Sequence, residues 1–308
     1  MGGNFARATP DTEVSEAALR SCRLTAHVST KLNRSHVAAG RAALILPTLG
    51  RTDLGDQAGV KQFVTVEDSM SVVHRSRGRF RPVSDALLSE PAIVYRLARA
   101  TLGADHPVTW EASEADYDAI RDSIARVVPG FENYNVRVRG RNGFILPHPP
   151  PDAREFKTTT GKANITVNDL VYPKVPSGRL LPQTLRRHDQ CNTTINGLSD
   201  RYRGIENARR VVMVNAEDVD RLGLQDGQVV DLVHEWPDGG VTTKRRAPGF
   251  RVVAYPAARG CAAAYYPETN ALVPLDSVAD VSNTPTSKSV IVRLDPVPAL
   301  TSEAEARP

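Results

Sequence analysis

The chain has 308 residues, 41% of them hydrophobic and 24% charged, which is enough for about two globular domains and argues against a disordered chain or a lone peptide module. No apolar run approaches the ~20 residues a membrane helix needs. Met1–Pro10 lacks the basic and then apolar stretch of a secretory signal, so a cytoplasmic location and no membrane span are expected. The net charge is +4, carried by 32 Arg against 7 Lys. An Arg surplus suits bidentate capture of phosphate or carboxylate, but basic runs such as Lys244-Arg245-Arg246 are too short for a nucleic-acid face.

In chain order, the first part alternates helix and strand signals, as an α/β domain does. Asp11-Thr12 reads as a cap for a helix with Val14, Ala18 and Cys22 on one face. Leu24 to Val28 and Ala42 to Leu46 read as strands, the second so apolar that it should be central. Gln62 to Val66 is a further candidate strand. Ser89 caps a helix bearing Ile93, Val94, Leu97 and Ala98 and stopped by Gly103. Ser113 opens another with Tyr117, Ile120, Ile124 and Val127.

Residues 141–152, rich in Gly and Pro, read as a linker that continues neither helix nor sheet. Beyond it, short strands are expected at Ala163–Val167, Val211–Val214, Val229–Val233, Val241–Thr243, Phe250–Ala254 and Ser289–Leu294. One helix, Ala216 to Leu222, opens on Asn215 and ends at Gly223, and Pro237-Asp238-Gly239-Gly240 signals a hairpin. The division is thus an α/β domain over 1–140, a linker over 141–152, a mainly β domain over 153–300 and a polar tail over 301–308.

The chemistry-bearing motifs are few. There is no Gly-x-Ser-x-Gly elbow, His-Glu-x-x-His pair, Gly-x-Gly-x-x-Gly fingerprint or Walker loop, and Cys22, Cys191 and Cys261 are too far apart in sequence for a metal knuckle. What stands out is Leu185-Arg186-Arg187-His188-Asp189-Gln190-Cys191-Asn192-Thr193-Thr194, which crowds N–H and O–H donors into one loop. Such a loop suits a polyanionic ligand or, equally, an internal hydrogen-bond network.

That loop, the Asn215 to Gly227 helix-turn, Pro267 to Leu272, and Thr284-Pro285 followed by Lys288 together resemble the C-terminal domain of molybdopterin oxidoreductases. Gly2-Gly3-Asn4, Leu44-Ile45-Leu46-Pro47, Val66-Glu67 and Thr160-Gly161-Lys162-Ala163 resemble the third domain of that family and its junction to the fourth, most closely in the formate dehydrogenase-like alpha-subunit branch. The resemblance implies an α/β domain followed by a six-stranded double-psi β-barrel, and molybdopterin guanine dinucleotide with molybdenum as cofactor. Gly3 and Asn4 would receive the guanosine end. Arg187, His188, Gln190, Asn192 and Thr193 would donate to the pyrophosphate and pterin, and Asn270 and Lys288 would close over it. Cys191 stands where a bulky apolar residue is expected.

The first two of the family's four domains, which carry any iron-sulfur cysteines and the metal-facing residue, have no counterpart here. The resemblance therefore implies a C-terminal portion that works with an N-terminal half or companion subunit on a small-molecule substrate, with no catalytic or metal-ligating residue of its own. The alternative is a stand-alone pterin or nucleotide binding module without turnover.

Overall fold

In the computed structural model, residues 1–298 are described except 58, 104, 171, 194, 239 and 240; the hairpin glycines and the 301–308 tail of the sequence reading lie outside them. The first segment forms α1 (Phe5–Ala8), α2 (Thr12–Ser21), β1 (Leu24–Ser29), α3 (Arg34–Val37) and β2 (Ala42–Pro47). Helix α2 forms where expected, yet its expected face is turned outward. Val14 is 47% exposed, while Ser15 and Glu16 are buried. The reason is ionic: Glu16 accepts from Arg34 at 2.6 and 3.0 Å and from Arg20 at 3.1 Å. Asp11 is not a side-chain cap; it sits at φ 52° and its carboxylate pairs with Arg245 at 2.8 Å. Strand β2 pairs only with β1 in a two-stranded sheet and is exposed along its apolar run, so it is not central.

Next come β3 (Asp56–Gln57), β4 (Val60–Lys61), β5 (Val64–Glu67), β6 (Val72–Ser76), α4 (Glu90–Leu102), α5 (Trp110–Ala115), α6 (Asp118–Val127), α7 (Tyr134–Val138), β7 (Phe144–Ile145) and α8 (Pro149–Ala153). The signals for α4 hold: Ser89 Oγ accepts from Ala92 N, and Gly103 takes φ 79° at the end. The helix expected from Ser113 is two helices. Between them the Tyr117 amide is diverted to Gln62 Oε1 at 3.0 Å, and the buried Tyr117 phenol meets Ser89 Oγ at 2.5 Å. The stretch 141–152 is structured too. Phe144 and Ile145 pair with Val73 and Val72, and Pro149 occupies the first turn of α8, where its missing N–H costs nothing. Around β6, β7 and α7, Val73, Tyr134, Val138 and Phe144 form a core with Phe63, Ile124 and Phe131 against it.

Residues 163–167 form no strand; each is exposed. The remaining elements are β8 (Leu181–Leu185), β9 (Val211–Val214), α9 (Ala216–Arg221), β10 (Val229–Asp238), β11 (Val241–Ala254), β12 (Cys261–Tyr265) and β13 (Arg293–Pro296). The signals at 241–243 and 250–254 fall in one long strand, and the one at 289–294 is realised only from Arg293 onward. These strands form one mixed sheet in the order β13-β10-β11-β9-β12-β8, parallel at β11/β9 and β12/β8 and antiparallel elsewhere. An antiparallel bridge of Leu180 with Val292, with mutual N–H to O distances of 2.9 Å, brings together the chain just ahead of the two outermost strands. Apolar side chains of β9 to β13, including Val212, Val230, Leu232, Phe250, Val252, Ala264 and Leu294, supply most of the largest core.

By their contacts the residues fall into two units. One comprises residues 28–30 and 46–170 with Met1; the other comprises 2–27, 31–45 and 171–308. The first forty-five residues, read from sequence as part of the 1–140 domain, thus mostly group with the mixed sheet.

Candidate functional site

The donor-rich loop begins where β8 ends, and adjacent side chains there face opposite ways. Arg187 is 3% exposed. Its guanidinium donates to Gly197 O at 2.7 Å and to Ala208 O, and its carbon centre lies 4.4 Å from the Tyr265 ring centroid. Tyr265, wholly buried, donates to Asp200 Oδ2 at 2.8 Å, and Arg203 donates to the same oxygen at 2.7 Å. Burial and Asp200 push the Tyr265 phenol up to about 12. Burial opposes the charge of Asp200, but the donors Arg203 and Tyr265 outweigh it and hold the carboxyl below its ordinary range. Arg187 is therefore a brace for residues 197–208, with only Nε left unpaired on its guanidinium.

The other expected residues divide between frame and cleft. Asn4, buried, donates to Thr193 O at 3.0 Å and accepts from Ser35 Oγ at 3.2 Å, while Gly3 O accepts from Asn33 at 3.1 Å. Gln190 donates to Asn192 O at 2.6 Å and Tyr266 O at 3.1 Å. Asn192 takes φ 48°, a left-handed conformation Asn tolerates, and accepts from Arg186 at 3.3 Å. Asn270 spends both amide protons on Arg7 O at 2.6 Å and Thr9 O at 3.2 Å. His188 stacks on Tyr202 with centroids 3.9 Å apart. Thr193 is buried.

Asn270 and Lys288 alone of the expected residues line one cleft of about 270 Å3, together with Thr184, Arg186, Tyr266, Thr284 and Ser287 among others. Lys288 Nζ donates to Thr184 O, and Arg186 lies 5.2 Å from the Tyr266 ring. Among the described residues neither cation is paired with a carboxylate. That distinguishes this cleft from two larger ones. In the cleft of about 440 Å3 beside Asp11 and Asp276, Arg245 pairs with Asp11, Arg246 with Asp231, and Lys244 lies 4.0 Å from Glu235. In the cleft of about 360 Å3 beside α4, Arg96 and Arg99 pair with Glu114 and Glu111, both at 2.8 Å. Arg186 is the residue the sequence reading passed over in favour of its neighbour. An alternating in-and-out pattern along the extended chain leaving β8 is the signal that separates the two.

No family model matches the sequence. Uncharacterized oxidoreductases of Mycobacterium tuberculosis and Mycobacterium bovis are 62% identical to it over 297 residues, 96% of this chain and 38% of theirs. The chain is thus related in sequence to oxidoreductases. Protein YdeP of Escherichia coli is 42% identical over 299 residues, 96% of this chain and 39% of that protein. The chain therefore spans well under half the length of these relatives. Acetylene hydratase from Pelobacter acetylenicus shares the fold, with a TM-score of 0.55 and 12% identity over 94% of this chain and 42% of that one. Among the described residues no helix is long and apolar enough to cross a membrane, and no three His, Cys, Asp or Glu side chains gather as a metal site.

Proposed function

We propose that this chain is the cofactor-binding portion of a molybdopterin-dependent oxidoreductase similar to formate dehydrogenase, and that its cleft holds the diphosphate of molybdopterin guanine dinucleotide. The observation that carries this reading is the pair of cations without carboxylate partners, Arg186 and Lys288, converging on one cleft ringed by hydroxyl groups. The donor set fits the group: two cations and the Thr184, Thr284 and Ser287 hydroxyls match a dianionic, oxygen-rich ligand, while the Tyr266 phenol is spent on Ala8 O. A volume of about 270 Å3 suits the diphosphate end, not a whole dinucleotide. The oxidoreductase relatives support the redox class, and the likeness to acetylene hydratase supports the architecture alone.

In this reading Arg186 and Lys288 neutralise the diphosphate. The Asn4, Gln190 and Asn270 amides hold the walls in register, because each ties one loop backbone to another. When bound, the cofactor's metal supplies the two-electron chemistry; this chain contributes binding, orientation and charge. The substrate and the metal-facing groups belong to a further portion or companion subunit of the assembly.

The test is binding of guanosine diphosphate to the 308-residue chain by calorimetry. Lys288→Glu is expected to weaken it about ten- to a hundred-fold, the equivalent of one charge-assisted hydrogen bond lost. Lys244→Glu, on a cation beside Glu235, is the control. Equal affinities in the two variants would reject the cleft as the diphosphate site.

A further inference from the structure

The segment Ala163-Asn164-Ile165-Thr166-Val167-Asn168-Asp169-Leu170 alternates small or apolar with polar residues over its first six positions, the pattern of a half-buried strand. It lies in the unit that contains residues 46–170. Its residues form neither helix nor strand, and all are exposed. Ile165 is 96% exposed, Val167 98% and Leu170 87%. Among the described residues its backbone makes no hydrogen bond. The polar face is already aligned, since Asn168 donates to Thr166 Oγ1 at 3.0 Å and Thr160 donates to Asn164 Oδ1 at 2.9 Å. Stretches of β-branched residues with unpaired backbone invite strand pairing, and proteins guard them with proline, charge or a cover. This one contains no proline and a single charge, Asp169. What is missing is the cover.

We infer that residues 163–170 are a strand that is completed by addition to a sheet edge, and that the edge belongs to the part of the relatives' polypeptide that this chain does not match. The inference rests on the reading of the chain as one portion of a larger oxidoreductase. The relatives match 96% of this chain but extend far beyond it, the match being 38% of their length. A counterpart of this segment therefore sits in a polypeptide with a great deal of additional surface to cover it. Backbone hydrogen bonds would supply the affinity, and a pocket for Ile165 and Val167 on alternate positions would supply the register.

Residue-resolved hydrogen exchange tests this on two intact proteins, the 308-residue chain and the full-length Mycobacterium tuberculosis relative. In the free chain the amides of 163–170 should exchange at unprotected rates at both low and high micromolar concentration. In the relative, alternate amides of the aligned segment should be slowed about a hundred-fold or more, since addition at one edge engages every second N–H. An aligned segment that is unprotected, or protected uniformly as in a helix, overturns the inference. Protection in the free chain that rises with concentration overturns it too, by assigning the edge to a second copy. Guanosine diphosphate binding to the free chain does not involve these residues, so that result stands or falls separately.

Discussion

Arg187 lies over the ring of Tyr265, 4.4 Å from its centroid, and ties the backbone of Gly197 to that of Ala208. Its neighbour Arg186 lines the cleft. The two arginines therefore divide stability from binding, and paired substitutions separate them. Arg187→Ala should lower the stability of its unit by about 3 kcal/mol, because two carbonyls lose a charged donor in a buried place. Arg186→Ala should leave thermal unfolding unchanged and weaken guanosine diphosphate. Thermal melts and calorimetry on both variants decide; an Arg187→Ala protein with an unchanged melt and lost binding would make Arg187 the ligand residue instead.

The Asp200–Tyr265 pair makes stability depend on pH at both extremes. Asp200 has a folded pKa below its ordinary value, so its contribution is present above about pH 4 and disappears as pH falls through the folded pKa. Tyr265 is an acid whose folded pKa is raised to about 12 from 10.0, so its contribution is intact below pH 10 and is lost as pH rises through about 12. Urea midpoints across pH should fall on both limbs. Asp200→Asn should flatten the acid limb and Tyr265→Phe the alkaline one; a Tyr265→Phe protein with an unaltered alkaline limb would place the titration elsewhere.

In the other unit, Ser89 serves both as the cap of α4 and as the partner of the Tyr117 phenol. Ser89→Ala should cost about 1 to 2 kcal/mol, more than an exposed cap, since it also strands a buried hydroxyl. A double-mutant cycle with Tyr117→Phe should show coupling, the second change costing less after the first. Additive losses would mean that the contact contributes nothing to stability.

The parts that were legible in the amino-acid sequence share a cause. Val211–Val214 is a run of four apolar residues, all buried, and α4 carries both of its punctuation marks, Ser89 and Gly103. There, local composition and tertiary environment agree. Where they diverge, side-chain pairing decides. Val14 looks like the inner face of α2, but Glu16 turns inward because Arg34 and Arg20 meet it. Ala42–Pro47 has the composition of a central strand but is given only one neighbour. In the candidate site the donor-rich loop was legible as a loop of donors. Which donors face the cleft was not, because Arg186 and Arg187 are chemically identical and only the direction of the chain after β8 tells them apart.

The buried side chain of Asn4 reaches Thr193 O, that of Asn270 reaches Arg7 O and Thr9 O, and the Tyr266 phenol reaches Ala8 O at 2.9 Å. On a ribosome these partners are made far apart in time. At roughly 5–20 residues per second, the segment around Ala8 waits on the order of 10–50 s before Tyr266 is even synthesised. Until Thr193 is made the earliest residues of the unit have none of these distant partners, until Tyr266 and Asn270 are made they have only that one, and α1, a single turn, is too short to hold itself. The clasp around the cleft is therefore among the last things to form, and substitutions at Asn4 or Asn270 should show their first effect in the yield of folded chain during synthesis.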